Sequence, residues 1–244
     1  MTASAGPRTR PFIVAIDGPA GAGKSTAARR LAVRLGFTMV DTGAIYRAVA
    51  LAATRADVAL DDDLALAALL PAVRIRFEPP ATGQDDAGQK VLLGDEDVSL
   101  AIRTPAMSLG ASAVSARPVV RAALLELQRR LATAPGHPGA VLEGRDIGTV
   151  VFPDADAKFF LTGSPEVRAR RRYDELVGKG ESATLERVLA DQQRRDRDDA
   201  ARAAAPLRPA DDAVLLDTSQ LTADAVVDAL AAAVATRLAA RGAT

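Results

Sequence analysis

Cysteine and tryptophan are missing from the 244-residue chain, and histidine occurs once, as His137. Without cysteine there is no disulfide framework, no thiolate zinc site and no cysteine nucleophile, and one histidine does not make a multi-histidine metal site. A Ser-His-Asp device would have to use His137. That residue sits in Ala134-Pro135-Gly136-His137-Pro138-Gly139, which predicts a surface turn. Aromatic residues make up only 3%, so the stacking platforms of single-strand nucleic-acid binders are poorly supplied. Net charge is also missing: 31 basic residues balance 31 acidic ones, leaving no broad basic field for nucleic acid or an anionic membrane. Any anion must therefore be caught locally. Lysine is scarce, with 4 against 27 arginines, and arginine is the side chain suited to bidentate anion clamps. No segment approaches the ~18 uninterrupted apolar residues of a membrane span. Met1 to Pro11 carries Arg8 and Arg10 without the apolar run of a signal peptide. The expectation is a cytoplasmic monomer with neither nucleic acid nor membrane as partner.

What is present is ordinary globular composition, 48% hydrophobic and 25% charged, in a length that suits one large domain with a small insert. Phe12-Ile13-Val14-Ala15-Ile16 is a continuous apolar run of the kind that forms a buried parallel strand. A glycine-rich turn follows. Ser25 to Leu35 then has helical spacing, with Gly36 as its stop. Thr38 to Val40, Ala140 to Leu142, Ala157 to Leu161 and Ala213 to Leu216 predict further strands, alternating with helices at Gly43 to Thr54, Arg103 to Ala132, after Ser164-Pro165 and at Thr222 to Arg241. Strands alternating with helices predict the α/β class with a parallel sheet. Between about Val73 and Ser99 the period changes to two, around a polar stretch Pro79 to Gln89, which predicts a small antiparallel meander inserted into the main fold.

Gly18-Pro19-Ala20-Gly21-Ala22-Gly23-Lys24-Ser25-Thr26 matches G-x-x-x-x-G-K-[ST] between a predicted strand and a predicted helix. Glycines let successive N–H groups turn toward phosphate oxygens, and the helix N-terminus adds the positive end of its dipole. Lys24 is expected to reach the β- and γ-phosphates of a nucleoside triphosphate, and Ser25 to hold Mg²⁺. No Asn-Lys-x-Asp element for guanine is present. The nearest Asp-Glu pair after an apolar run, Leu92-Leu93-Gly94-Asp95-Glu96, lies in the meander, which argues against a mechanical ATPase. A kinase for a small acceptor fits best. A hydroxyl-directed kinase with Asp41 or Glu143 as base, and a nucleotide-binding switch without transfer, stay open at this point.

Three further motifs follow in order: Asp41-Thr42-Gly43-Ala44-Ile45-Tyr46-Arg47, then Glu143-Gly144-Arg145-Asp146-Ile147-Gly148, then an arginine- and aspartate-rich helix carrying Arg195, Asp199 and Arg202. The first two follow predicted strands and so fall at the carboxyl edge of the sheet, where open α/β sheets bind ligands. With the phosphate loop, this set resembles the bacterial cytidylate kinase family from about Pro11 to the C-terminal helix. The resemblance implies a nucleoside monophosphate kinase fold, with a tail over 1–11, a kinase domain over 12–244, a monophosphate-binding insert at about 58–103 and a lid at about 164–182. It implies transfer from ATP, with Mg²⁺, to CMP and dCMP. Thr42, Arg47, Arg145 and Arg202 are expected to hold the acceptor phosphate, with Asp41 beside them, and Arg195 and Asp199 to contact the ribose. Ser112, Arg121 and Asp146 are expected to meet the cytosine edge. Lys24, Arg145 and Arg202 carry the catalytic expectation, and the cluster Arg168, Arg170, Arg171 and Arg172 the donor-side lid, with Arg170 and Arg171 expected to bind ATP and the contact to phosphate left open among the four. Thr42 and Glu143 depart from common family choices of Ser and Asp, which leaves the role of Glu143 open between metal and structure.

Overall fold

β1 (Phe12–Asp17) is buried along its whole length. Its alternate side chains feed two cores, Ile13 and Ala15 on one face of the sheet and Phe12, Val14 and Ile16 on the other. A strand covered on both faces needs an uninterrupted apolar run, which is what the sequence has there. The structure, a computed structural model, describes residues 10–78, 89–178 and 180–242. Most of the expected tail over 1–11, and residues 79–88 of the polar stretch in the meander, lie outside the described residues.

From β1 the chain runs through α1 (Lys24–Leu35) to β2 (Thr38–Asp41), then α2 (Thr42–Arg55) and α3 (Asp63–Leu69). The antiparallel strands β3 (Ile75–Glu78), β4 (Lys90–Leu93) and β5 (Glu96–Asp97) form a sheet of their own. Next come α4 (Pro105–Ser115), α5 (Pro118–Ala132) and β6 (Gly139–Gly144). The helical pattern over Arg103 to Ala132 is thus two helices. Pro118 supplies no N–H and disfavours helix at Arg117, so the first helix stops and the second starts with proline in its first turn. The chain continues through β7 (Ala157–Thr162), α6 (Pro165–Gly178), α7 (Leu185–Ala201), β8 (Val214–Asp217) and α8 (Ala223–Gly242). Ser164 caps α6 through its hydroxyl, which accepts from Val167 N at 3.2 Å.

The main sheet has the order β2-β6-β1-β7-β8, parallel throughout. α1 and α8 cover one face, with Val226, Leu230 and Val234 of α8 buried there. On the other face, the core gathers residues of α2, α4 and α5 together with Ile75 and Val91 of the smaller sheet. Register decides what meets at the carboxyl edge: Asp17 lies beside Gly144, Ile16 beside Glu143, and Glu143 beside Asp41. Three adjacent strands therefore end in carboxylates at one place. Asp95 and Glu96 belong to the β4–β5 hairpin of the separate sheet, where they pair with Arg76 and Arg55, respectively. His137 is exposed in the loop before β6.

Candidate active site

The loop between β1 and α1 bends through Gly18, Gly21 and Gly23, all at positive φ. At Gly18 (φ 144°) a Cβ would fall 2.0 Å from the Leu161 carbonyl oxygen, so the loop can lie against β7 only with glycine there. Lys24 opens α1 and folds back over the loop, its Nζ donating to Pro19 O at 2.7 Å, and it is only 6% exposed. Burial, reinforced by the Arg145 guanidinium, pushes the Lys24 ammonium down to about 7, with Glu143, Asp17 and Asp199 pulling the other way. A bound polyphosphate would supply the negative charge this site lacks.

Ser25 Oγ donates to Glu143 Oε2 at 2.8 Å, and Thr42 Oγ1 donates to the Glu143 carbonyl at 2.6 Å. Glu143 is 4% exposed, and its Oε1 is buried with no hydrogen-bond partner among the described residues. Burial and the neighbouring Asp41 push its carboxyl up, against Lys24. A buried carboxylate oxygen without a donor, beside the phosphate-loop hydroxyl, fits a hard cation such as Mg²⁺. Asp41 caps α2, accepting from Ala44 N at 2.8 Å, and its other oxygen accepts from Arg47 at 3.0 Å. Arg47 also has a buried Nε without a partner among the described residues.

A second group of charges follows β6. Arg145 donates through Nε to Asp199 Oδ2 at 2.9 Å, and Arg202 donates to Asp199 Oδ1, so one buried carboxylate spans two arginines. Arg202 lies one residue past α7, as its C-cap. Arg195 sits beside them with a buried Nε lacking a partner among the described residues, and burial and Arg145 both pull its guanidinium down. Asp146 pairs with Arg121, which also donates to Ser115 O at 3.3 Å. Burial pushes the Asp146 carboxyl up while Arg121, Arg202 and Arg145 oppose it. Ser112 is half-buried on α4, one turn before Ser115, and its carbonyl accepts from the Ser115 hydroxyl.

The two groups are electrostatically one site, since Lys24 feels Arg145 and Asp199, and Asp146 feels Arg145 and Arg202. The α6 arginines divide by helical face. Arg168 is buried, donating to Ala20 O in the phosphate loop at 3.0 Å and pairing with Asp196 at 2.7 Å. Arg171 donates to Thr218, whose single hydroxyl proton has Thr162 O at 2.9 Å and, at the longer distance of 3.3 Å, Ala22 O of the phosphate loop within reach. Arg170 is exposed beside the ring of Tyr173. The sequence reading passed over Asp17, whose carboxylate accepts from Ile147 N and Gly148 N at 2.8 Å each. The signal available was an acid closing an otherwise apolar strand.

A cytidylate kinase family model matches residues 14–236. The chain belongs to the cytidylate kinase family. Among relatives, the cytidylate kinase of Geobacter sp. (strain M21) is 52% identical over 232 residues, 95% of this chain and 96% of that protein. The cytidylate kinase of Nocardia farcinica (strain IFM 10152) is 48% identical over 228 residues, 93% of this chain and 95% of that one. Cytidylate kinase family membership thus covers both groups of charges, from the phosphate loop to Arg202.

Proposed function

We propose that the chain transfers the γ-phosphoryl group of ATP to CMP and dCMP, giving CDP and dCDP. The observation that carries this reading is the meeting, at one sheet edge, of a phosphate loop with a second cluster of arginines and aspartates around Arg145, Asp199 and Arg202. One cradle takes a triphosphate; the other takes a second anion. An acceptor phosphate is already ionised near neutral pH, so no general base is needed. Of the competing base candidates, Asp41 has both oxygens accepting hydrogen bonds, and Glu143 accepts from Ser25 through Oε2 while its other oxygen is the one that suits a cation.

The chain's work is positioning and neutralisation. Gly18 to Thr26 cradle the donor phosphates, Lys24 bridges toward the transferring group, and Thr42, Arg47, Arg145 and Arg202 orient the acceptor phosphate. Asp146 and Arg121 together offer acceptor and donor groups that complement the amino and carbonyl edge of cytosine, with Ser112 nearby. Arg195 and Asp199 meet the sugar. Ser25 and Glu143 would hold Mg²⁺, which when bound offsets phosphate charge. Residues 58–103 act as the insert that closes on the monophosphate, and 164–182, with Arg170 and Arg171, as the donor-side lid that helps exclude water. Among the described residues no helix is long and apolar enough to cross a membrane. The enzyme works as a cytoplasmic monomer on small nucleotides, without nucleic acid.

Coupled assays with CMP, dCMP, UMP, AMP and dTMP as acceptors test this. The expected result is preference for the cytidine nucleotides. Preference for another base overturns the base assignment, and turnover that survives Arg202→Ala but not Asp41→Asn points instead to a hydroxyl acceptor.

A further inference from the structure

We propose that Asp17 is a positioning residue that joins the donor and acceptor halves of the site into one unit. The inference rests on the reading above, in which Asp146 and Arg121 recognise the acceptor base. Asp17 closes β1 immediately before Gly18, the first residue of the phosphate loop, and it is 4% exposed. Its two oxygens accept from two successive backbone amides, Ile147 N and Gly148 N, each at 2.8 Å. Those residues follow Asp146 directly and begin a single wide turn, Ile147–Val151, in which Val150 N and Val151 N return to the Asp146 carbonyl. Asp146 in turn grips Arg121. A continuous path of backbone and short, hydrogen-bonded contacts therefore runs from the phosphate loop through Asp17 to the base-recognising pair, with no long flexible side chain before Arg121.

The chemistry requires a carboxylate. Two neighbouring N–H groups aimed at one point are satisfied by two oxygens, whereas an amide would set its own NH₂ against one of them and leave a buried donor unpaired. Burial opposes this charge, and Asp146 adds to the opposition; together they push the Asp17 carboxyl up to about 6, against the two amides and Lys24. Lys158 is another cation nearby, its stem close to Gly148, but its ammonium is turned to Pro153 O and Asp212. The contact is close: a Cβ on Gly148 would lie 3.5 Å from Asp17 Oδ2 and 3.2 Å from Lys158 Cδ. A group needed only to fill space would be apolar; this one is held charged against its surroundings because of what it grips.

Asp17→Asn, nearly the same shape, separates the two roles. With saturating ATP, the expected result is a CMP KM raised about 10-fold and a CMP-over-UMP preference reduced about 10-fold, with kcat and ATP KM within about 3-fold of the parent. A purely structural role would lower the active fraction, and so kcat, while leaving KM and preference untouched; that outcome overturns the inference. A parent enzyme without preference for CMP over UMP would sink the base reading instead. Hydrogen exchange on the parent protein supplies the second measurement, and it decides if Asp17→Asn does not fold. Ile147 and Gly148 amides are expected to exchange slowly, and more slowly still with a non-hydrolysable ATP analogue on the phosphate loop. Rapid exchange, or protection that ignores the analogue, overturns the proposal.

Discussion

Lys24 is the residue whose protonation a bound triphosphate should change most. Its ammonium is buried beside Arg145, and both burial and that neighbour lower its affinity for the proton, to about 7. The sign follows directly. A folded-state value below the usual lysine range means that the fold disfavours the charged form, so the free protein gains stability as pH rises from about 7 toward the unfolded value of 10.5. A triphosphate reverses the balance, because phosphate oxygens favour the charged amine. At a pH above about 7 the free enzyme should hold Lys24 partly or largely neutral, and ATP binding should be accompanied by net proton uptake of up to about one proton per site. Titration calorimetry in buffers of different ionisation enthalpy measures this. Lys24→Met should abolish the uptake and lower kcat by about 10²–10³-fold, as for loss of one preorganised charge contact. Uptake that persists in that variant would assign the proton to another group.

At the level of elements, the phosphate loop is shaped as much by the strand beside it as by its own glycines. Gly18→Ala would place a methyl 2.0 Å from the Leu161 carbonyl, a backbone atom that cannot swing aside. The loop or β7 must move, with an expected loss of about 3 kcal/mol in urea unfolding and loss of ATP binding in whatever folds. Gly178→Ala is the control, since nothing lies within 4 Å of its added carbon; it should be neutral or stabilising by about 0.5–1 kcal/mol. Equal effects from the two changes would contradict the close-approach argument. The same level explains what the sequence made visible. β1 and the loop after it were legible because a strand buried on both faces must be apolar throughout and an anion cradle must be rich in glycine. Asp17 was not, because its partners, Ile147 and Gly148, are about 130 residues away and are brought near only by the parallel register of β1 and β6. Within the arginines of α6, helical spacing already separates Arg168 and Arg171, three apart on the inner side, from exposed Arg170.

For the whole molecule, the neutral sum of 31 basic and 31 acidic residues covers two kinds of pairing. Outside the site, several arginines are matched on the surface: Arg30 with Asp224 and Arg34 with Asp228 across α1 and α8, Arg55 with Glu96, and Arg76 with Asp95. Exposed pairs of this kind contribute little to stability, and a molecule of zero net charge has little self-repulsion for salt to relieve. Inside the site, Arg47, Arg121, Arg145, Arg195 and Arg202 stand among Asp17, Asp41, Glu143, Asp146 and Asp199, and the buried Nε donors of Arg47 and Arg195, without partners among the described residues, are left for an anion. Stability and function should therefore respond differently to the same salt. Raising KCl from 0.1 to 0.5 M takes the Debye length from about 10 Å to about 4 Å. The melting temperature should move by less than about 3 °C, equivalent to about 1 kcal/mol for a chain of this size. Over the same range the acceptor KM should rise about 5-fold, because encounter and docking of an anion depend on the local field. Thermal melts and steady-state kinetics in one salt series read both. A melting temperature that falls in step with rising KM would mean that the arginine cluster is held together by the fold's general electrostatics, and a KM indifferent to salt would mean that Asp199 and Asp146 neutralise it before any nucleotide arrives.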